Sequence, residues 1–144
     1  MPKAIFVNLP VADLSRSTRF YEAIGCTRNA RFSDHKASSM IWSEHITFQL
    51  LAREYFATFA PRPVADPHAT AQVLLCLSRD APEDVDRLIE AARNAGGAID
   101  VRTPIELDFL YNRAFEDPDG HVLEVVWINP ALAMPETGAE QNAA

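Results

Sequence analysis

The sequence predicts an α+β fold made of two copies of one unit, each running strand, helix, strands. Three observations carry that reading. Each half opens with an apolar strand feeding a helix that ends at glycine, from Ile5 to Gly25 and from Val73 to Gly96. Each half closes with a strand carrying one polar residue among apolar ones, Gln49 in ITFQLL and Glu124 in VLEVVW. Between the halves, Pro61, Pro63 and Pro67 enforce an irregular connection. Residue identity between the halves is low, so the duplication is one of topology.

The elements follow in order. In IFVNLPV, Ile5, Val7, Leu9 and Val11 alternate with Phe6, Asn8 and Pro10, a period of two that marks a strand with one apolar face. Pro10 lacks a ladder donor and points to an edge or strand end. Asp13 caps a helix over Leu14 to Ile24, and Gly25 stops it. Ala37 to Trp42 and Ile46 to Leu51 are strands joined at Ser43-Glu44-His45, and Arg53 to Phe59 has the makings of a short helix. Gln72 to Ser78 reads as a buried strand, and Glu83 to Ala95 as a helix with Val85, Leu88, Ile89 and Ala92 as its apolar stripe. A weak strand over Ala98 to Arg102 precedes a loop at Pro104 to Asp108 and a strand at Leu110 to Glu116. The expected organisation is a single domain over 1–130, with modules at about 4–52 and 72–129, a linker at 53–71 and a mobile tail at 131–144.

Composition narrows the function classes. The chain has 144 residues, 48% of them apolar, which suffices for one well-formed core. Its net charge of −7 argues against nucleic-acid binding, which needs a basic footprint. No apolar run approaches the roughly 20 residues of a membrane helix, and the N-terminus lacks the pattern of a secretion signal. Cys26 and Cys76 form no CxxC pair, so a reducing cytoplasm is the expected compartment and both thiols are expected to be structural.

The stretch FEDPDGHVLEVVW organises the second half. Asp117-Pro118-Asp119-Gly120 supplies a tight turn into a β-branched strand. Glu124 is the one charge in that strand, and burying a lone carboxylate is costly unless something pairs with it. It faces a polar cavity or it is the outward residue of a half-exposed strand; the sequence leaves both open.

With LPVADLSRSTRFYEAIG at the start and FEDPDGHVLEV at the end, the chain resembles the vicinal oxygen chelate superfamily of glyoxalase I, bleomycin-resistance proteins and extradiol dioxygenases. FVNLPVADL and LYNRAFEDPDGHVLEVVW resemble its bacterial glyoxalase-like members more closely. The resemblance covers about Ile5 to Asn129 and implies two βαβββ modules forming curled mixed sheets around a cavity. Metal-dependent members carry one ligand on the first and last strand of each module. The matching positions are Phe6, Gln49, Gln72 and Glu124, and a slip by two would put Asn8 in place of Phe6. Phenylalanine binds no metal and neutral amides are poor ligands. His35, His45, His68 and His121 fall in expected turns and loops. The expectation is therefore no cofactor, with a divalent metal as the alternative.

Alternation then gives an expected ligand cavity of Phe6, Asn8, Gln49, Gln72, Leu74 and Glu124, with Tyr111 and Arg113 aimed inward from the neighbouring strand and Trp42 as wall or core. Arg113 would clamp a ligand carboxylate or pair with Glu124. The expected function is binding of a small organic ligand by a homodimer. A lyase or dioxygenase using Glu124 as base or metal ligand is the alternative, and a vestigial cavity in an assembly protein comes last.

Overall fold

The computed structural model describes residues 2–133. The tail expected to be mobile begins as a short helix at Pro130–Ala133, and its remainder lies outside the described residues. No helix among the described residues is long and apolar enough to cross a membrane.

Module 1 comprises β1 (Ile5–Val11), α1 (Leu14–Ala23), β2 (Thr27–Arg28), β3 (Ala37–Ser43) and β4 (Ile46–Ala52). Its sheet runs β1-β4-β3-β2, so Pro10 does sit on an edge strand. Asp13 caps α1 by accepting from the Arg16 amide at 3.0 Å. Gly25, at φ +122°, takes the left-handed turn out of the helix that a side chain would resist. The parallel β1–β4 ladder sets Asn8 beside Gln49 and Leu9 beside Leu50.

Helix α2 (Arg53–Phe59) follows, then irregular chain to β5 (Leu75–Ser78). Module 2 continues with α3 (Pro82–Asn94), β6 (Ala98–Ile99), β7 (Ile105–Leu107), β8 (Leu110–Glu116) and β9 (Val122–Ile128). Its sheet runs β5-β9-β8-β6, with β7 also on β8. Two local expectations change. The strand expected from Gln72 starts only at Leu75, because pairing with β9 begins there. The loop expected over Pro104 to Asp108 instead holds β7, whose Leu107 pairs with Leu110 across a tight turn.

One core serves both modules. Leu9, Val11, Met40, Phe48 and Leu50 of the first sheet join Leu77, Phe115, Leu123 and Val125 of the second, around Phe20, Tyr21, Val85 and Ile89 of the helices. Phe20 of α1 lies 6.3 Å from Phe115 of β8, ring centre to ring centre. The helix-facing side of each sheet therefore turns toward a common interior. The opposite, distal face of each sheet turns away from it.

The DPDG turn locks the modules together. Asp119 Oδ1 accepts from the Ala12 amide at 2.8 Å, and its Oδ2 accepts from the Ser17 hydroxyl at 2.7 Å. Asp117 Oδ2 accepts from the Tyr21 hydroxyl at 2.7 Å, while its Oδ1 takes the amides of Asp119 and His121. Gly120 has φ +91°, and a Cβ there would lie 2.6 Å from the His68 ring, so the turn demands glycine twice over.

Candidate functional site

The distal faces carry the chemistry. On module 1, alternation along β1 and β4 turns Phe6, Asn8 and Gln49 away from α1, as expected. Helix α2 forms a lip over this face, enclosing a cleft of about 690 Å³ lined by Asn8, Gln49, Leu51, Tyr55, Phe56 and Phe59. Gln49 Oε1 is buried without a hydrogen-bond partner. A buried acceptor left unpaired is costly, and the Gln49 side chain lines the wall of the cleft. Phe6 is 54% exposed at the margin.

A second cleft of about 320 Å³ lies at the module junction, where Asn8 and Pro10 meet Phe56, Gln72 and His121. Gln72 belongs to this cleft and to no strand. Leu74, just ahead of β5, is 55% exposed.

On module 2, the parallel register sets Cys76 of β5 beside Glu124 of β9. Asn8 and Gln49 form the adjacent pair in the first sheet, and Cys76 and Glu124 form it in the second. Gln72 and Phe6 hold neither position. Cys76, expected in the core, is an exposed residue on the distal face, whereas Cys26 is buried as expected. Burial pushes the Cys26 thiol up to about 12.

Glu124 belongs to a ring-like cluster of four side chains. Arg102 Nη2 donates to Glu124 Oε2 and to Asn112 Oδ1, both at 2.5 Å. Asn112 Nδ2 donates to Cys76 Sγ at 3.8 Å. Cys76 stands beside Glu124 on the adjacent strand, and partial burial followed by that carboxylate pushes the thiol up to about 11. Asn112 is nearly fully buried, and Arg102 also donates to the Thr103 carbonyl at 3.0 Å. Chain 101–104 thus folds an arginine over the face from which Glu124 projects.

Tyr111 and Arg113 do not face this ring. The β8–β9 register pairs Ala114 with Glu124 and Arg113 with Val125, which places Arg113 on the helix side. Arg113 grips Asp100 with two bonds, at 3.0 and 2.7 Å, and reaches Asp86 of α3 at 2.9 Å. Asp100 holds the arginine firmly protonated. Tyr111 donates to Asp86 at 2.6 Å. The expected Arg113 clamp is therefore an anchor between sheet and helix, and Glu124 pairs with Arg102 instead. Trp42 also lies on the core side, 3.3 Å from the Cβ that Gly25 lacks.

Arg102 and Asn112 escaped the sequence reading for different reasons. Asn112 was readable: the turn fixes the register, and with Val125 facing the helix Arg113 must do the same, leaving Asn112 beside Glu124. Arg102 was not. It reaches Glu124 through a bend whose Asp100 sits at φ +52°, and no spacing rule announces such a bend.

The donor set does not suit a metal. Asn8 and Gln49 are neutral amides, the Cys76 thiol is held away from the thiolate, and Arg102 occupies the Glu124 carboxylate. Among the described residues no three His, Cys, Asp or Glu side chains come close enough to hold an ion.

The sequence model of the Glyoxalase/Bleomycin resistance protein/Dioxygenase superfamily matches residues 4–125. The chain belongs to this superfamily. Among solved structures it is similar to a hypothetical protein from S. aureus, at 27% identity and TM-score 0.73, covering 88% of this chain and 94% of that one. It is also similar to TnmS3, an antibiotic binding protein from Streptomyces sp. CB03234, at 20% identity and TM-score 0.62, covering 89% and 97%. The fosfomycin resistance protein FosX from Mesorhizobium loti shares 17% identity at TM-score 0.63, covering 99% and 98%. These last two likenesses speak for the fold. No curated protein matches the chain. Superfamily membership accounts for the paired modules, while the ring around Glu124 is a feature of these particular residues.

Proposed function

We propose that the protein binds a small, largely apolar organic ligand, without a metal, in a cavity made from distal faces of two chains. The observation that carries this reading is the module 1 cleft, where aromatic side chains of α2 and the amide residues Asn8 and Gln49 line one cavity. Ligand sites combine such apolar walls with a few fixed polar groups. The antibiotic-binding and fosfomycin-resistance proteins of the same fold support the ligand class. The direction of the faces supports homodimerisation. Both turn away from the core of their own chain, and Phe6 and Leu74 leave apolar surface uncovered there. A twofold pair placing module 1 of one copy over module 2 of the other would cover both faces at once.

The enzymatic alternative needs Glu124 to take a proton or bind a metal, and its Oε2 is already committed to Arg102. Binding is therefore favoured. Light scattering at micromolar concentration should give a mass near twice the 16.0 kDa chain. A thermal-shift screen of aromatic amides, alcohols and acids should return a ligand, which at a hundred times its Kd adds about 2.7 kcal/mol of stability. A monomer that no such compound stabilises would overturn the reading. So would stoichiometric zinc, nickel or iron that is lost in Glu124→Ala.

A further inference from the structure

The ring on module 2 also specifies the charge of the ligand. We infer that Arg102 and Glu124 cancel each other on the module 2 face of the proposed two-chain cavity, so the site selects ligands whose polar group is uncharged, such as an amide, carbonyl or hydroxyl. The inference rests on the cavity reading above and adds a specificity determinant to it.

Three features support it. First, Arg102 places both Nη2 bonds on Glu124 and Asn112, so its charge is already matched by one carboxylate. A second carboxylate arriving there would meet Glu124 as well as the arginine, and like charges in a poorly hydrated site repel. Second, the Glu124 side chain is 17% exposed and that of Arg102 34%, so water screens the pair only in part. Third, the module 1 cleft offers the amides of Asn8 and Gln49 and one charge, the Asp34 carboxylate, which the backbone amides of Lys36 and Ala37 keep ionised and which disfavours an anionic ligand. What remains for a ligand's polar group is neutral donors and acceptors beside a self-compensated pair.

The ring is built to keep this balance. Asn112 holds Arg102 from the side by accepting from it, and donates in turn to Cys76 next to Glu124. On the opposite face of the sheet, Arg113 grips Asp100 at the bend that projects Arg102. Arg113 is thus a positioning residue for the ring.

The test uses three probes that share one aromatic body and differ in the charge of the polar group: naphthalene-1-carboxamide, naphthalene-1-carboxylate and 1-naphthylmethylammonium. Each is titrated calorimetrically into the full chain at pH 7. Wild type should bind the carboxamide about tenfold or more tighter than either ion, a difference of about 1.4 kcal/mol. Glu124→Gln, which leaves Arg102 uncompensated, should gain about tenfold for the carboxylate. Arg102→Gln should gain for the ammonium probe instead. Combining the two substitutions should restore the neutral preference, a rescue that a purely structural ring would not produce. Circular dichroism melts establish that each variant is folded, and the other single variant carries the test if one is not. Tighter binding of an ion by wild type overturns the inference. Binding of the probes with preferences that no substitution changes overturns it too, while leaving the cavity reading intact. No binding of any probe to wild type overturns both.

Discussion

The two modules share one topology and part company on their distal faces. In module 1 the adjacent pair Asn8 and Gln49 opens onto a cleft, and one amide oxygen has nothing to bond. In module 2 the equivalent pair, Cys76 and Glu124, is gathered into a ring-like cluster by Arg102 and Asn112. The same scaffold position is left hungry in one half and satisfied in the other. Backbone register sets where a functional side chain stands, and non-local neighbours decide whether it remains available.

The contrast presumes that the modules form one cooperative unit, and the largest expected effect tests that premise. Asp119→Ala removes the acceptor for the Ala12 amide and the Ser17 hydroxyl, leaving both without their partner near the core. Two orphaned donors at about 1–3 kcal/mol each should cost about 3 kcal/mol or more. Urea denaturation should show a single, earlier transition. Two separate transitions would mean that the modules fold independently and that the comparison is between neighbours rather than halves.

The next effect compares the two pairs directly. Glu124→Met strips Arg102 of its counterion and should destabilise by about 1–2 kcal/mol, held down by the partial exposure of the arginine. Gln49→Met removes an acceptor that is already unpaired, so stability should change by less than about 0.5 kcal/mol or rise. Equal losses in the two variants would show that Gln49 has a partner and that the contrast between the faces is false.

Much of this was legible in the sequence. Period-two alternation placed Leu9, Leu123 and Val125 in the core and sent Asn8, Gln49 and Glu124 to the other face. Asp13, Gly25 and the DPDG turn marked their boundaries because capping and left-handed backbone are local properties. What failed depended on distant partners. The start of β5 is fixed by β9, some fifty residues away in sequence, so the strand expected from Gln72 begins only at Leu75. Arg113 was assigned to the cavity because a charge in an apolar strand suggests function. Its partners, Asp86 and Asp100, come from α3 and from a bend, and they make it structural.

A smaller effect concerns the junction between the modules. Burial raises the Asp117 carboxyl, with His121 and the Tyr21 hydroxyl working the other way. The folded protein then holds this proton more tightly than the unfolded chain does. The resulting stability is fully present below 3.8, the ordinary value, and is lost as pH rises through the folded value. Asp117→Asn keeps the acceptor for the Asp119 and His121 amides and removes the titration. Its stability should therefore fall less steeply than wild type as pH rises from acid. Identical slopes would show that Asp117 is not the titrating group at the junction.

The last effect leaves stability unmoved and reads the ring through chemistry. An exposed thiol beside an arginine would ordinarily be acidic and reactive. Cys76 is instead held up to about 11, first by partial burial and then by the Glu124 carboxylate. At pH 8 that leaves about one thiolate in a thousand, so iodoacetamide should label wild-type Cys76 slowly, with a rate still climbing above pH 9. Glu124→Gln removes the opposing charge while Arg102 stays, and the whole profile should shift toward lower pH. Cys26, buried and held up to about 12, provides the unlabelled control in the same molecule. Gln49→Met should leave the profile unchanged, because the ring belongs to module 2 alone. Rapid labelling of wild-type Cys76 at neutral pH would mean that Glu124 does not reach the thiol. The two distal faces would then be more alike than their neighbours make them.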